Sequence, residues 1–156
     1  MSSSTPQPPV PQPPVSQPSA PLKVKHMNSD EAKARYGEIK DQKWEYEGNW
    51  MVVYAVPSDI APNWTNTATG KPTNKIYINK DMKNALDQAL GNLRDRNLLP
   101  ELKTFDGLWN IRDVRGVPGR LSWHSYGLAI DVNASENGLG KEPKLSAEFV
   151  QCFTDV

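Results

Sequence analysis

The sequence predicts a small α+β domain: a mainly antiparallel sheet with helices packed on one face. Three observations predict it. Residues 81–93 place Met82, Ala85, Leu86, Ala89, Leu90 and Leu93 at three- and four-residue steps, the period of an amphipathic helix. Residues 128–133 alternate instead, with Leu128, Ile130 and Val132 on one face and Ala129, Asp131 and Asn133 on the other, the period of a half-buried strand. Residues 50–56 form an apolar, β-branched and aromatic run closed by Pro57, which reads as a central strand.

The totals bound the answer. The 156 residues suffice for one domain and not for two. Eighteen basic residues balance eighteen acidic ones, which argues against nucleic acid as the main partner. No apolar run approaches the roughly 18–20 residues of a membrane span, and the N-terminus lacks a charged-then-apolar leader. A soluble protein without a signal peptide is therefore expected. Cys152 is the single cysteine, so no internal disulfide can form, and its apolar helical position marks it as a small buried residue rather than a nucleophile.

Taken in order, residues 1–22 hold eight of the fourteen prolines among Ser, Gln, Thr, Ala and Val. Proline fixes its own backbone angle and donates no ladder bond, so this tract is expected to be a disordered, polyproline-like linker, with a protein partner for the arm as one use. Residues 23–49 follow as an N-terminal helix and connecting segment, with Ser29 capping a helix up to Tyr36 and Gly37 stopping it. The domain proper spans 50–156. After the strand at 50–56, residues 59–73 read as loop and 76–78 as a second strand. Asp81 is expected to cap the long helix and Pro100 to end it. Residues 107–112 read as a third strand, with Trp109 and Ile111 on one side and Leu108, Asn110 and Arg112 on the other. Paired with 128–133, it would put Asn110 and Arg112 on the open face with Asp131, a register that a one-residue slip reverses. Residues 116–120 read as loop. Ser146 caps a last helix over 147–154 with Phe149, Val150 and Phe153 inward.

The chemistry concentrates in residues 122–133. His124, one of two histidines, lies seven residues before Asp131, and Gly127 permits a bend that swings the imidazole over the face carrying the carboxylate. A neutral imidazole and a carboxylate at one spot are two of the three protein ligands of a catalytic zinc site. The segment Ser122-Trp123-His124-Ser125-Tyr126-Gly127-Leu128-Ala129-Ile130-Asp131 carries the pattern Ser-x-His-x-x-Gly-x-Ala-x-Asp. It resembles the signature of the zinc peptidases that cut D-alanyl-D-alanine or L-alanyl-D-glutamate bonds in bacterial cell walls, phage-encoded endolysins of the second kind above all. The likeness runs from about Trp50 to Val156 and is closest over 105–133.

The resemblance implies a zinc cleft on the sheet face opposite the helices, Zn²⁺ as cofactor, and His124 and Asp131 as its first two ligands. Water is a poor nucleophile towards an amide, and zinc on three protein ligands brings the pKa of its water to about 7. Ser122 is expected to support the site from behind the ligands. Arg112 is expected to grip a substrate carboxylate or the developing oxyanion, since a guanidinium fork matches that geometry, with Arg115 and Arg120 as weaker candidates. Arg112 reads equally well as a surface or structural arginine. The resemblance also implies a third ligand, a histidine on a C-terminal strand, with an acidic general base just before it. No histidine follows His124, so the domain reads as C-terminally incomplete, and His26 is a remote substitute.

Three functional expectations follow. The first is a peptidoglycan peptidase acting on stem peptides at the bacterial wall, reached from the host cytoplasm at lysis or from a virion. The second is a catalytically silent wall-binding or virion component of the same fold. The third is a structural adaptor working through its proline-rich arm.

Overall fold

The structure, a computed structural model, describes residues 28–40 and 42–156. Residues 1–27, with the proline-rich arm and His26, lie outside the described residues. The described chain is mixed α/β, with four α-helices and three small sheets. None of its helices is long and apolar enough to cross a membrane.

Helix α1 (Ser29–Tyr36) starts one residue before the sequence expectation. Asn28 is the cap, accepting from Asp30 N and Glu31 N, while Glu31 returns a bond to the Asn28 N–H. Helix α2 (Lys43–Trp50) was not predicted; only Tyr46 is buried on it, so its sequence carries little apolar period. Strand β1 (Met51–Ala55) pairs antiparallel with β4 (Lys75–Asn79), placing Tyr54 opposite Ile76 and Val52 opposite Ile78. β1 has no second neighbour, so the predicted central strand is one half of a two-stranded sheet.

The stretch predicted as loop at 59–73 folds more tightly. Strands β2 (Thr65–Asn66) and β3 (Lys71–Pro72) form a hairpin whose open end is closed by the Thr73 N–H donating to the carbonyl of the buried Trp64. Helix α3 (Lys83–Asp95) buries Leu86, Ala89, Leu90 and Leu93, the predicted stripe. Its ends differ from expectation. Asn79 caps the 3₁₀ turn that leads in, while Asp81 instead receives Arg35 Nε and the Tyr36 hydroxyl. Asn97, left-handed at φ 59°, closes the far end before Pro100 is reached.

Strand β5 (Thr104–Gly107) joins β2 in parallel and β8 (Asp131–Val132) antiparallel, giving a four-stranded sheet ordered β3-β2-β5-β8. The predicted pairing of these two regions is present but displaced. Residues 108–112 and 128–130 are irregular, and a bulge lies between Phe105 and Gly107. Leu108 is buried rather than facing an open side. Asn133 also leaves the predicted open face. At φ 51° it turns inward, is 2% exposed, accepts from Lys103 N and Thr104 N and donates to Glu101 O. Residues predicted as loop form a hairpin, β6 (Asp113–Val114) with β7 (Val117–Leu121). Helix α4 (Ala147–Thr154) begins at Ser146 as predicted, with Phe149 and Cys152 buried, but Val150 is 43% exposed.

Two hydrophobic clusters hold these pieces. The larger joins Tyr54, Ile76 and Ile78 to Leu86, Leu90 and Leu93 of α3 and Phe149 and Cys152 of α4. The smaller joins Ala32, Tyr36 and Tyr46 of α1 and α2 to Met51 and Tyr126, with Tyr77 packed against it. Side chains of β1 and β4 alternate between faces, so α3 and α4 cover one face, while α1 and α2 lie at the Met51 end of the other.

Candidate functional site

His124 sits in a 3₁₀ turn, Trp123–Tyr126, that four local features fix. Ser122 caps it, its Oγ accepting from His124 N at 3.3 Å. Gly127 ends it at φ 65°, where a Cβ would lie 2.7 Å from Met51 Cε and 3.0 Å from Asn79 N. Tyr126 O accepts from the Tyr46 hydroxyl at 2.6 Å and from Asn79 Nδ2 at 3.1 Å. Asn110 N donates to His124 O at 3.1 Å.

The segment 108–112 forms the wall beside this turn. Ser122 N donates to Arg112 O, and Trp109 Nε1 to Ser125 O at 3.0 Å. Ser125, fully buried, accepts from Arg112 N at 2.9 Å and donates to Arg112 O at 2.8 Å. The strand that would have run through these residues is replaced by side-chain and turn bonds that satisfy the same backbone groups.

The imidazole is held between two oxygens. His124 Nδ1 lies 2.6 Å from Leu108 O, and Nε2 lies 3.4 Å from Asp131 Oδ1. A carbonyl only accepts, so Nδ1 carries a proton; Nε2 is then a lone pair in the neutral ring and a second N–H in the imidazolium. A neutral Nε2 beside a carboxylate oxygen repels it unless a proton or a metal ion lies between them. Zinc bonds of about 2.0–2.2 Å at the tetrahedral angle set neighbouring ligand atoms about 3.4 Å apart, the separation found here. The His124 side chain is 14% exposed and that of Asp131 53%, so the ring is anchored and the carboxylate is open to solvent. Gly107, opposite Asp131 on β5, has φ 147° and open space where a Cβ would stand, which keeps that side of the carboxylate bare.

His124 and Asp131 are thus brought together, and Ser122 supports the backbone of His124 rather than its ring. Arg112 is tied to the turn through its main chain, and its side chain is exposed. Among the described residues no group of three His, Cys, Asp or Glu side chains converges to hold a metal ion. The donor pair fits two positions of a tetrahedral zinc shell. Sequence reasoning missed the Leu108 carbonyl and Ser125; the first has no side-chain signature, and the second stands in the motif only as a variable position. No protein-family profile, curated protein or solved structure matches the chain.

Proposed function

We propose that the chain is a zinc-dependent peptidase domain directed at the stem peptides of bacterial peptidoglycan. One observation carries this reading: His124, its Nδ1 held on the Leu108 carbonyl, has Nε2 3.4 Å from Asp131 Oδ1, the spacing of two zinc ligands. The motif around that pair, Ser-x-His-x-x-Gly-x-Ala-x-Asp, supplies the substrate class by resemblance. Bound zinc would polarise a scissile carbonyl and activate water. In this scheme His124 and Asp131 would hold the ion, Leu108 O places the neutral ring's proton on Nδ1 so that Nε2 is the donor, and Arg112 offers a guanidinium to a substrate carboxylate.

The absence of a third donor among the described residues favours a second reading, a wall-binding domain that keeps the fold without turnover. One experiment separates the two. Purified protein is titrated with zinc by calorimetry and then incubated with isolated peptidoglycan while new peptide amino ends are counted. Stoichiometric zinc with released ends supports the peptidase. Sedimentation with the wall, no zinc uptake and no released ends would replace it with the silent module. Loss of both wall binding and turnover would remove both readings.

A further inference from the structure

The chain has six arginines. Three are matched to aspartates: Arg35 to Asp81 at 2.8 Å, Arg94 to Asp59 at 2.6 Å and Arg96 to Asp155 at 3.2 Å. The other three, Arg112, Arg115 and Arg120, all fall in the β6–β7 hairpin or its lead-in, and all are exposed. None of them has a carboxylate partner among the described residues.

The hairpin's one acid does not offset them. Asp113 is taken by Lys40 Nζ at 2.8 Å and by the Gly119 N–H at 3.0 Å. Val114 pairs with Val117, so Arg115 and Gly116 are the two residues of the turn, with Gly116 at φ 77°. Arg115 therefore stands at the tip and Arg112 three residues back, about 10 Å along an extended chain. Residues 112–121 contain no aromatic side chain, so the arm has nothing on which a base could stack.

Three unmatched guanidinium groups on one projecting arm repel each other and gain most from a ligand with several fixed negative charges. We propose that the β6–β7 hairpin is a docking arm for a linear polymer with phosphates in its backbone, held through its charge and not through any base. Each phosphate offers two oxygens to a guanidinium fork, and each contact releases condensed counterions. This arm goes beyond the peptidase reading; it shares Arg112 with that reading and does not depend on the His124–Asp131 pair.

The test measures binding of the whole chain to three probes by fluorescence anisotropy across a salt series: long-chain polyphosphate, a single-stranded oligothymidine of similar charge, and poly-L-glutamate. Polyphosphate and oligothymidine should bind about equally, with log K falling against log salt at a slope of about −2 for three contacts. Arg115→Gln with Arg120→Gln should weaken both by at least about tenfold and bring the slope to about −0.7. Arg115→Lys with Arg120→Lys should keep the slope, and Lys141→Gln with Lys144→Gln, exposed lysines elsewhere, should change nothing. No binding at low salt, or equal binding by the Gln variant, overturns the arm. A marked preference for poly-L-glutamate overturns the phosphate assignment, and a marked preference for oligothymidine over polyphosphate overturns the charge-only reading. Zinc uptake is read separately, so failure here leaves the metal pair standing.

Discussion

Ser125 and Arg112 bond each other in both directions: Arg112 N donates to the Ser125 Oγ at 2.9 Å, and that hydroxyl donates to Arg112 O at 2.8 Å. The pair ties the turn that carries His124 to the segment that supplies the Leu108 carbonyl. Ser125→Ala removes both bonds and leaves the half-buried Arg112 N–H without its partner. A loss of about 1–3 kcal/mol is expected, read from the urea midpoint, with faster hydrogen exchange at Arg112 N. Unchanged stability would show that the two segments are held together by other contacts alone.

His124→Ala and Asp131→Ala should each abolish zinc uptake while leaving the fold in place. Asp131 is largely exposed and makes no hydrogen bond that the sheet needs, and the histidine turn keeps its cap, its Gly127 exit and its Ser125 tie. Calorimetric titration alongside a thermal melt checks this. Full zinc stoichiometry in both variants would contradict the metal assignment.

Arg112→Lys keeps the charge and the backbone bonds but loses the planar fork. Turnover on peptidoglycan should fall much further than stability does. Normal kcat/KM in this variant would remove Arg112 from the substrate site.

Gly127→Ala should be costly for two reasons. The residue has φ 65°, and its Cβ would press on Met51 Cε at 2.7 Å and Met51 Sδ at 2.8 Å. The methionine tip can move, but Asn79 N, at 3.0 Å, is backbone that donates to Gly127 O. A destabilisation of about 1–3 kcal/mol is expected from denaturant unfolding. Leu90→Ala, at a side chain 1% exposed between α3 and the sheet, should cost more, about 2–5 kcal/mol.

Alkaline pH should unfold the protein cooperatively. Burial pushes the Tyr36 phenol up to about 12, with the Asp81 carboxylate adding to the effect. Burial raises Tyr46 and Tyr54 further still, Tyr54 with help from Asp87. A raised phenol in the folded state means that the native chain holds protons the unfolded chain has lost. Stability is therefore intact below about pH 10, the ordinary tyrosine value, and falls as pH rises above it. Circular dichroism between pH 9 and 12 (roughly the window set by those values) reads this, and phenolate absorbance should rise together with unfolding.

Local signals explain what was legible in the sequence. The stop of α1 at Gly37, the buried stripe of α3 and the Ser146 cap of α4 are each written within a few residues, and each is where the pattern puts it. Helix α2 was missed because Lys43-Trp-Glu-Tyr-Glu-Gly-Asn-Trp50 buries one side chain and exposes Trp44 to 82%. The strand at 107–112 was misplaced because its alternation is real, yet its backbone groups are taken by the histidine turn instead of by a neighbouring strand. Asn133 was placed on the wrong side because a left-handed backbone at one residue reverses a face that strict alternation would keep. The His124–Asp131 proximity was readable because one bend and one short strand separate the two. The oxygen that orients the ring was not, since any residue at 108 would have supplied it.

Trp109 lends its indole to both hydrophobic clusters, and its Nε1 donates to Ser125 O beside His124. The aromatic layer built from Tyr36, Tyr46 and Tyr126 leans on the same turn from behind. Helices α1 and α2 thus buttress the turn. A chain shortened to start at Trp50 would strip the Tyr46 hydroxyl from Tyr126 O and leave Asn79 Nδ2 as the side-chain donor that steadies the floor beneath the imidazole.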